Sequence, residues 1–564
     1  MRVKQNISDQ VKDQLNWGLF MKASDLFVAQ LKEEGVEYIF GLPGEENLDL
    51  LESLRNSDIK LIITRHEQAA AFMAAAYGRL TGKAGVCFST LGPGATNLVT
   101  GVAQAQLIGA PLISISGQKA LVDNWQARFQ LVDVVRMMEP LCKKAVSISD
   151  PGTVPTVLRN AFKHAEAERP GAVHIELPED VAEEDTDAVV QKRGETSIPC
   201  PDPESIKMAA SMIREAKNPL IIVSSGANRK AVTEELEDFI NRTGIYVVHT
   251  QMGKGVVPDD CPYSLFATGI HARDYVNCGI DGADLIITVG YDIVEYPPYL
   301  WNEHVNKKII NVDFVESVPD RYFNPEVEVI GDISFSIRHL AARIPEKRKF
   351  PVFENTRTFI EEKINSPIRK SYPPIPQEVV RSVREVLGRE DIISLDNGIY
   401  KLWFSRLYKT YAPNTVLLDN ALATMGAGFS AGLVAKLLHP ERRVLAICGD
   451  GGFMMNCQEL ETAIRYGISL VVLILNDNAF GFIKWKQKKM HFEEFALDYG
   501  NPDFALLAKS FGATGMKVKE NDDLKEVLEK AFSLNKLVVI ECPIDHSVNY
   551  EIFSIELGNL VCKF

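Results

Sequence analysis

Two segments rich in glycine, aspartate and asparagine have the composition of a site for a metal ion and a phosphorylated ligand. The first is GDGGFMMN at residues 449–456, which follows the apolar run RVLAIC. Its glycines, Gly449, Gly451 and Gly452, permit a sharp backbone turn whose N–H groups can approach an anion closely. Asp450 stands among them, and a carboxylate next to a phosphate is favourable only with a divalent cation between the two. The segment therefore predicts a cation-assisted phosphate site.

The second segment supplies a partner for Asp450. The apolar run SLVVLIL is followed by Asn476, Asp477 and Asn478, so that Asp477 lies 27 residues after Asp450. In a β-α-β unit, neighbouring parallel strands end at the same edge of the sheet, where both carboxylates can bind one ion. Oxygen ligands of this kind suit Mg²⁺. The alternative is a glycine-rich turn next to a polar strand end, which is common in doubly wound sheets but rarer for a pair at this spacing.

A third glycine-rich segment, GAGFSAG at residues 426–432, superficially resembles a dinucleotide-binding loop. It lacks the full glycine pattern and an acidic residue at the expected distance. We therefore predict that this segment begins a helix that packs closely on its neighbours.

The elements that must position these residues are short apolar runs separated by amphipathic stretches. We predict buried strands at LIITRH, AGVCFST, PLISISG, AVHIELP, PLIIVSSG, IYVVHT, ADLIITVG, KKIINVD, RVLAICGDGG, SLVVLILND and LVVIECP. A helix is predicted over residues 456–466. Near-continuous apolar strands that alternate with helices indicate an α/β fold of doubly wound parallel sheets with helices on both faces.

Two stretches with the composition of linkers divide the chain. Residues 183–205 are polar and end in a proline cluster, and residues 344–378 are charged and rich in proline. We therefore predict three α/β domains at residues 19–185, 200–345 and 375–545, with residues 1–18 and 546–564 as peripheral extensions. The length of 564 residues suggests about three or four domains by itself.

Composition excludes several classes of protein. The chain has 61 Lys and Arg against 75 Asp and Glu, a net charge of −14, which argues against a general nucleic-acid binder. A hydrophobic fraction of 46% excludes a disordered chain. No apolar run is long enough to cross a membrane, and the N-terminus has no signal-peptide core. Nine scattered cysteines without a CxxC pair indicate free thiols in a reducing compartment. We expect a cytoplasmic protein without membrane or nucleic-acid partners.

With these motifs in place, the chain resembles the thiamine-diphosphate enzymes over about residues 20–545. GDG followed by NDN matches the metal–diphosphate motif of that superfamily, and the resemblance implies that Asp450, Asp477 and the Ala479 carbonyl bind Mg²⁺. FGLPGEEN, TRHEQAAAF and STLGPGATN in the first domain resemble the acetolactate synthase group. GYDIVEYPPYLWN, DYGNPDFALLAKSFGATG and Asp at position 477 indicate its catabolic, FAD-independent branch. The FDD-R-V-type segment of the FAD-containing branch is absent from the sequence.

The resemblance implies roles for three residues of the first domain. Glu67 of RHEQ is the carboxylate that activates the cofactor by hydrogen bonding to its aminopyrimidine ring. Gln130 orients the second substrate, and Gly44 contributes a backbone donor. A turn or a surface polar group is an equally weighted alternative for Gln130 and Gly44. Taken alone, Glu67 would be explained as a first-turn helix residue or as the partner of Arg65.

In the third domain, the resemblance implies that NALATMGAGFSAG holds the organic part of the cofactor. Met425 is the apolar wedge that bends the cofactor, and the Ala423 carbonyl accepts a hydrogen bond from its amino group. Core packing is the alternative for Met425. Gly398 offers a backbone contact to the diphosphate. The implied cofactors are thiamine diphosphate and Mg²⁺, without FAD.

The implied activity is decarboxylation of pyruvate, a small 2-oxo acid, and ligation to a second pyruvate, which gives 2-acetolactate and CO₂. One alternative is a related thiamine-diphosphate decarboxylase, lyase or oxidase with another donor or acceptor. Another is a non-catalytic homologue that binds the cofactor, against which the intact Glu67, Asp450 and Asp477 argue. Because this family builds each active site from two subunits, the resemblance implies a homodimer or homotetramer.

The chain departs from the family pattern at four positions near the site. Ile399 and Tyr400 replace the polar pair after Gly398, and Tyr400 then offers a hydroxyl in place of a histidine. Phe482 stands where the family usually has Met, and Lys486 stands where biosynthetic members have Trp. The run KWKQKK around Lys486 favours a solvated helix face over an anion-binding one. These departures leave donor and acceptor specificity open.

Overall fold

Three parallel sheets of six strands each follow one another along the chain. The computed structural model describes residues 20–122, 129–194, 197–229, 232–268 and 274–562, so the predicted extension at 1–18 lies outside it. The strands of the three sheets fall between residues 38 and 178, 219 and 330, and 392 and 543. Each sheet lies within one of the three predicted domains, whose end points stay predictions. The α/β fold of doubly wound parallel sheets is confirmed.

The first sheet has the strand order β3-β2-β4-β5-β7-β6, and a short antiparallel pair, β1 and β8, lies outside it. The strands are β1 (Met21–Lys22), β2 (Tyr38–Gly41), β3 (Lys60–Ile63), β4 (Gly85–Ser89), β5 (Leu112–Gln118), β6 (Lys144–Ser147), β7 (Ala172–Pro178) and β8 (Asp185–Thr186). The helices are α1 (Ala23–Glu33), α2 (Leu48–Arg55), α3 (Glu67–Thr81), α4 (Pro93–Ile108), α5 (Val134–Met138), α6 (Val154–Glu166) and α7 (Glu179–Glu183). The order reverses between β2 and β4, which places a crevice at their carboxyl ends.

The central sheet has the order β11-β10-β9-β12-β13-β14 and reverses between β9 and β12. Its strands are β9 (Pro219–Val223), β10 (Tyr246–His249), β11 (Ser264–Ala267), β12 (Leu285–Val289), β13 (Lys308–Asp313) and β14 (Val327–Ile330). Its helices, including one that leads to the next sheet, are α8 (Pro203–Glu215), α9 (Ser225–Arg229), α10 (Thr233–Thr243), α11 (Asn277–Gly282), α12 (Ile333–Ala341) and α13 (Pro351–Ile364).

The third sheet has the order β16-β15-β17-β18-β20-β19 and reverses between β15 and β17. Its strands are β15 (Ile392–Leu395), β16 (Val416–Leu417), β17 (Val444–Gly449), β18 (Val471–Asn476), β19 (Thr514–Lys517) and β20 (Val538–Pro543). Its helices are α14 (Pro376–Val386), α15 (Ile399–Leu407), α16 (Ala427–Leu438), α17 (Asp450–Asn456), α18 (Glu459–Arg465), α19 (Gly481–Lys489), α20 (Phe504–Ser510), α21 (Leu524–Ser533) and α22 (Val548–Tyr550). A π-helical turn, Glu551–Glu556, continues α22.

All eleven predicted strands are present, because each is an apolar run that the structure buries in a sheet. The helix predicted over residues 456–466 is wrong in its bounds. Helix α17 begins at Asp450, within the glycine-rich segment itself, and a second helix, α18, follows after a break at residues 457–458. The helix predicted to begin at GAGFSAG is confirmed. Gly426 precedes α16 at φ 87°, and a Cβ on Gly428 would lie 2.5 Å from the backbone nitrogen of Asp396.

The first and third sheets pack together through a helix of small residues. Helix α3 carries the run of alanines that starts at Ala69, all of them buried, and it packs on α4 and α16. Arg79, at the end of this helix, donates hydrogen bonds to the carbonyls of Leu418 and Val416. Because alanine side chains are small, the helix backbones approach closely, and the first and third sheets of the same chain pack tightly together.

The C-terminal residues pack against helix α19. Phe553 is buried, with its ring centroid 4.6 Å from that of Trp403 and 6.0 Å from that of Trp485. Trp485 donates a hydrogen bond from Nε1 to Ser554 Oγ at 3.1 Å. Further on, Cys562 forms a disulfide with Cys278 of α11.

The prediction of free thiols throughout is therefore wrong for this pair, since cysteines 284 residues apart gave no spacing signal. The other seven cysteines are free. Among the described residues, no helix combines the length and apolar character needed to cross a membrane.

The Cys278–Cys562 disulfide gives a direct prediction about stability. We expect Cys562→Ser to lower the free energy of unfolding by about 2–4 kcal/mol, because a cross-link over a long loop restricts the unfolded chain. Thermal unfolding without reductant measures this, with the exposed free thiol variant Cys200→Ser as the matched control. Equal unfolding temperatures for the two variants, together with no cross-linked peptide in a non-reducing digest, would contradict the assignment.

Candidate active site

A cavity of about 420 Å³ lies at the carboxyl edge of the third sheet, next to the point where the strand order reverses. Its volume is within the usual range for a small-molecule or cofactor site. Every residue that the sequence analysis predicted in the third domain lines it. They are Gly398, Ala423, Met425, Gly449, Asp450, Gly451, Gly452, Asp477 and Ala479.

The register of two strands brings the predicted carboxylates together. Strands β17 and β18 pair with Gly449 opposite Leu475, so Asp450 and Asp477 follow the paired ends directly. Asp450 is 2% exposed, and its carboxylate accepts hydrogen bonds from the N–H of Gly451 at 2.9 Å and of Asn478 at 2.9 Å. The carboxylate is therefore held in one orientation at the cavity wall.

Two polar residues that the sequence analysis did not select complete this arrangement. Asn501 donates from Nδ2 to Asp450 at 2.7 Å. The hydroxyl of Tyr499 lies 3.1 Å from Asp450 Oδ1 and 3.1 Å from the carbonyl oxygen of Ala479. Since one hydroxyl reaches both oxygens, the Asp450 carboxylate and the Ala479 carbonyl border a common point. The polar residues of DYGNPD were the available signal, but the sequence alone does not show that this loop folds back.

The electrostatics of the carboxylate pair fit a cation. Burial and the neighbouring Asp450 raise the pKa of Asp477 to about 7, and burial raises the pKa of Asp450. Two buried carboxylates cannot both ionise favourably without a compensating positive charge. Among the described residues, no group of three or more His, Cys, Asp and Glu side chains could hold a metal. Carbonyl, water and ligand oxygens would therefore complete the coordination of a hard cation here, as Mg²⁺ prefers.

Close packing explains the glycines and the turn that bears Met425. A Cβ on Gly452 would lie 2.2 Å from Asp396 Oδ2. The buried Asp396 carboxylate in turn accepts from the N–H of Gly426 at 2.9 Å, and burial raises its pKa to about 6. Ala423 adopts φ 57°, a left-handed conformation that a side chain disfavours. This turn holds the Ala423 carbonyl and the Met425 side chain at the cavity.

Tyr400 is one of the positions at which the sequence departs from the family pattern. Its ring is buried, and its hydroxyl accepts a hydrogen bond from the N–H of Gly449 at 2.8 Å. The hydroxyl thereby fixes the first residue of the glycine-rich segment and has one proton of its own to donate. Ile399 also lines the cavity.

Two further basic residues of the cavity wall were missed from sequence. Lys401 donates from Nζ to Asn397 Oδ1 at 2.6 Å and to the carbonyl of Asp419 at 2.8 Å. Burial lowers its pKa to about 8. His546 lies with Nε2 3.8 Å from Asp477 Oδ2, and burial lowers its pKa to about 4. Neither stands in a recognisable motif, and only the fold brings them to the cavity.

The three candidates of the first domain gather around one loop, residues 90–94, at the reversal point of the first sheet. A Cβ on Gly44 would lie 2.2 Å from Thr90 Cβ, and one on Gly92 would lie 2.4 Å from the Gln130 carbonyl oxygen. Glu67 is the first residue of α3 and accepts from Asn97 Nδ2 at 2.9 Å. These residues form a second cluster, which we call the first-sheet cluster: Gly44, Glu67 and Gln130.

Within one chain, the first-sheet cluster and the cavity remain separate. All residues that line the cavity belong to the segment 397–546, so none comes from the first sheet among the described residues. The loop before Glu67 instead contacts helix α18 of the third domain, where Arg65 donates its N–H to Glu459 at 3.0 Å. Tyr466 accepts from the N–H of Ile63 at 2.8 Å.

Comparison with known proteins gives consistent matches over the whole chain. Three family models match: the N-terminal TPP binding domain of thiamine pyrophosphate enzymes at residues 21–137, the central domain at 206–340 and the C-terminal TPP binding domain at 396–542. The chain is 31% identical to the acetolactate synthase of Bacillus subtilis (strain 168), with 95% of each chain covered. It is 34% identical to the probable acetolactate synthase large subunit of Methanocaldococcus jannaschii, over 93% of this chain and 92% of the relative. It is 30% identical to the catabolic acetolactate synthase of Raoultella terrigena, over 96% and 98%.

The contact between Tyr400 and the glycine-rich segment can be tested by removing the hydroxyl group of Tyr400. We expect Tyr400→Phe to lower the apparent free energy of unfolding by about 1–2 kcal/mol, because the buried N–H of Gly449 loses its acceptor. Urea denaturation measures this loss. Tyr411→Phe is the matched control, since the ring of Tyr411 contacts Arg384 and Arg389 and phenylalanine keeps that ring. Equal midpoint shifts for the two variants would show that the hydroxyl of Tyr400 contributes nothing there.

Proposed function

The chain belongs to the acetolactate synthase family of thiamine pyrophosphate enzymes, and from this membership we propose that it decarboxylates pyruvate and joins the two-carbon unit to a second pyruvate. The products are 2-acetolactate and CO₂. The observation that carries the proposal is the carboxylate pair of buried Asp450 and half-buried Asp477 in a glycine-lined cavity of a chain that matches acetolactate synthases over nearly its full length. A cytoplasmic location is part of the proposal.

The residues of the cavity fit the cofactor of this family. Bound thiamine diphosphate supplies a nucleophilic carbon and an electron sink for the decarboxylation. We propose that Asp450, Asp477 and the Ala479 carbonyl hold Mg²⁺, which links the protein to the diphosphate. Gly398, Gly449, Gly451 and Gly452 leave room for the diphosphate to approach the backbone. The hydroxyl of Tyr400 donates its remaining proton to it.

The organic part of the cofactor is held by the turn at residues 423–425 in this proposal. Met425 would pack against the rings of the cofactor, and the Ala423 carbonyl would accept a hydrogen bond from its amino group. Glu67 shares a proton with the pyrimidine ring of the cofactor, and this hydrogen bond favours the reactive tautomer of the cofactor. Gly44 and Gln130, which lie next to Glu67 around residues 90–94, orient the substrates.

Two copies of the chain are needed to join these groups. Among the described residues, the cavity is lined only from residues 397–546, whereas Glu67 begins helix α3 of the first domain. Apolar side chains next to the cavity are exposed: Met454, Met455, Phe480, Ile483, Phe492 and Phe495. An exposed apolar surface of this kind indicates a protein interface. We propose a homodimer, alone or as half of a tetramer, in which the first-sheet cluster of one subunit completes the cavity of the other.

The activity is tested by incubating the protein with thiamine diphosphate, Mg²⁺ and pyruvate, then acidifying to convert acetolactate to acetoin. We expect acetoin and a matching loss of pyruvate, both dependent on cofactor and metal. Acetaldehyde in place of acetoin would support a decarboxylase instead. No acetoin and no loss of pyruvate would overturn the proposed activity.

Glu67→Gln separates activation of the cofactor from its binding. We expect turnover to fall at least about 100-fold, because the amide cannot exchange the proton that the carboxylate holds. Titration calorimetry should show thiamine diphosphate and Mg²⁺ affinities close to those of the unaltered protein. Glu204→Gln, at an exposed position on α8, is the control. Loss of metal binding in Glu67→Gln would contradict the assigned roles.

We propose that the enzyme works without FAD, since the crevice of the central sheet is filled by its own side chains. Buried Glu295 accepts hydrogen bonds there from Ser224 at 2.8 Å, Thr250 at 2.7 Å and the N–H of Met252. Ser224 and Thr250 directly follow β9 and β10, where a doubly wound sheet would bind a nucleotide. We expect the purified protein to be colourless, and an absorbance band near 450 nm would contradict this.

A further inference from the structure

Helix α19 forms one wall of the cavity and presents two lysines to it. Phe482, Trp485, Lys486 and Lys489 line the cavity, and their spacing places them on one face of the helix. Both lysines are exposed, so the solvated helix face favoured from sequence holds for Lys486 and Lys489, although they also line the cavity.

The charges of these two lysines are not balanced. Their neighbour Lys484 pairs with Glu494 at 2.9 Å and with Asp498 at 3.2 Å. Lys486 and Lys489 have no carboxylate partner among the described residues. Their Nζ atoms instead lie 5.0 Å and 5.5 Å from the ring centroid of Trp485. Burial and the charge of Lys489 lower the pKa of Lys486. Two exposed cations that share the ring of the buried Trp485 at the cavity wall leave two positive charges available to an anion.

The position of the pair along the helix separates it from the metal end of the cavity. Gly481, the first residue of α19, lies against Asp477, since its Cβ would be 2.6 Å from Asp477 Oδ2. Lys486 and Lys489 follow five and eight residues later, which places them roughly 7 Å and 12 Å further along the helix axis. The backbone of the pair therefore lies away from the carboxylates that would hold the diphosphate through Mg²⁺.

The chemistry of the reaction decides which substrate the pair would hold. The carboxylate of the donor must leave as neutral CO₂, and a cation that stabilises that carboxylate would favour the ground state over the transition state. An anionic group of the acceptor is retained in the product, so a cation can hold it throughout. The two lysines are therefore better suited to bind the acceptor than the donor.

We propose that Lys486 and Lys489 form an anion subsite for the acceptor and give preference to an acceptor that carries a carboxylate or a phosphate separated from its reacting carbonyl. This inference rests on the proposed function. The C1–C2 bond of pyruvate breaks, CO₂ leaves, and the electron pair forms the new bond to the carbonyl carbon of the acceptor. The acceptor's carbonyl oxygen takes up one proton, and its separate anionic group is unchanged.

The test is a competition between acceptors with the complete enzyme. Thiamine diphosphate, Mg²⁺ and pyruvate are mixed with equal concentrations of 2-oxoglutarate and 2-oxobutyrate, and the products are measured by mass spectrometry. A parallel reaction replaces 2-oxoglutarate with glyceraldehyde 3-phosphate, which separates a carboxylate preference from a phosphate preference. We expect a product from one of the dianionic acceptors to exceed that from 2-oxobutyrate by about tenfold or more.

Variants that remove the charge but keep the length of the side chain assign the effect. We expect Lys486→Met with Lys489→Met to lower the preference about tenfold, with an unchanged affinity for thiamine diphosphate. Lys488→Met is the matched control, because Lys488 lies on the same helix but contacts Tyr550, with Nζ 4.9 Å from the ring centroid. Its product ratio should equal that of the unaltered enzyme.

Three results would overturn the inference. The first is an equal yield of products from the competing acceptors in the unaltered enzyme. The second is a product ratio that the double variant leaves unchanged, and the third is a loss of thiamine diphosphate affinity in that variant. If the enzyme consumes no pyruvate at all, the proposed function fails, and a binding measurement then tests the anion subsite independently of activity. Trp485 fluorescence should then respond to 2-oxoglutarate or glyceraldehyde 3-phosphate at lower concentration than to 2-oxobutyrate, with Trp485→Phe identifying the signal. An equal response to the three compounds would overturn the subsite.

Discussion

Two carboxylates of like charge, buried at neighbouring strand ends, are the constraint on which the rest of the site depends. Asp450 and Asp477 are brought together by the register of β17 and β18, and burial together with their mutual repulsion raises the pKa of Asp477 to about 7. Such a pair is unfavourable unless a cation joins it. Tyr499, Asn501 and the backbone around Asn478 hold the Asp450 carboxylate in place, so the protein keeps this arrangement ready for a metal ion.

The same constraint explains why the surrounding segments have little freedom. A Cβ on Gly451 would lie 2.7 Å from the hydroxyl of Tyr499, and one on Gly452 would lie 2.2 Å from Asp396 Oδ2. Asp396 fixes the turn that carries Met425, and Tyr400 fixes Gly449. The carboxylate pair, the glycine-rich segment and the turn that bears Met425 are thus parts of one hydrogen-bonded unit. Glu67 stands apart from that unit, and only a second subunit can bring it to the cavity in the function we propose.

The sequence predicted the fold and the third-domain residues well, for identifiable reasons. Long apolar strands and the paired GDG and NDN segments carry strong local signals, and the nine residues predicted in the third domain all line the cavity. Strands β2 and β15, which border two of the reversal points, were not predicted. Tyr499, Lys401, His546 and the Cys278–Cys562 pair were missed because their neighbours in space are distant in sequence. The orientation of Lys486 and Lys489 required the helix to be placed against the cavity.

The central claim is that each active site joins Glu67 of one subunit to Asp450 of another. The most direct measurement mixes two inactive variants, Glu67→Gln and Asp450→Asn, under conditions in which subunits exchange, and assays acetolactate. A shared site predicts that mixed dimers regain one intact site of two, which restores about a quarter of the unaltered activity after random exchange. If each chain built its own complete site, the mixture would remain inactive, and that result would contradict the account.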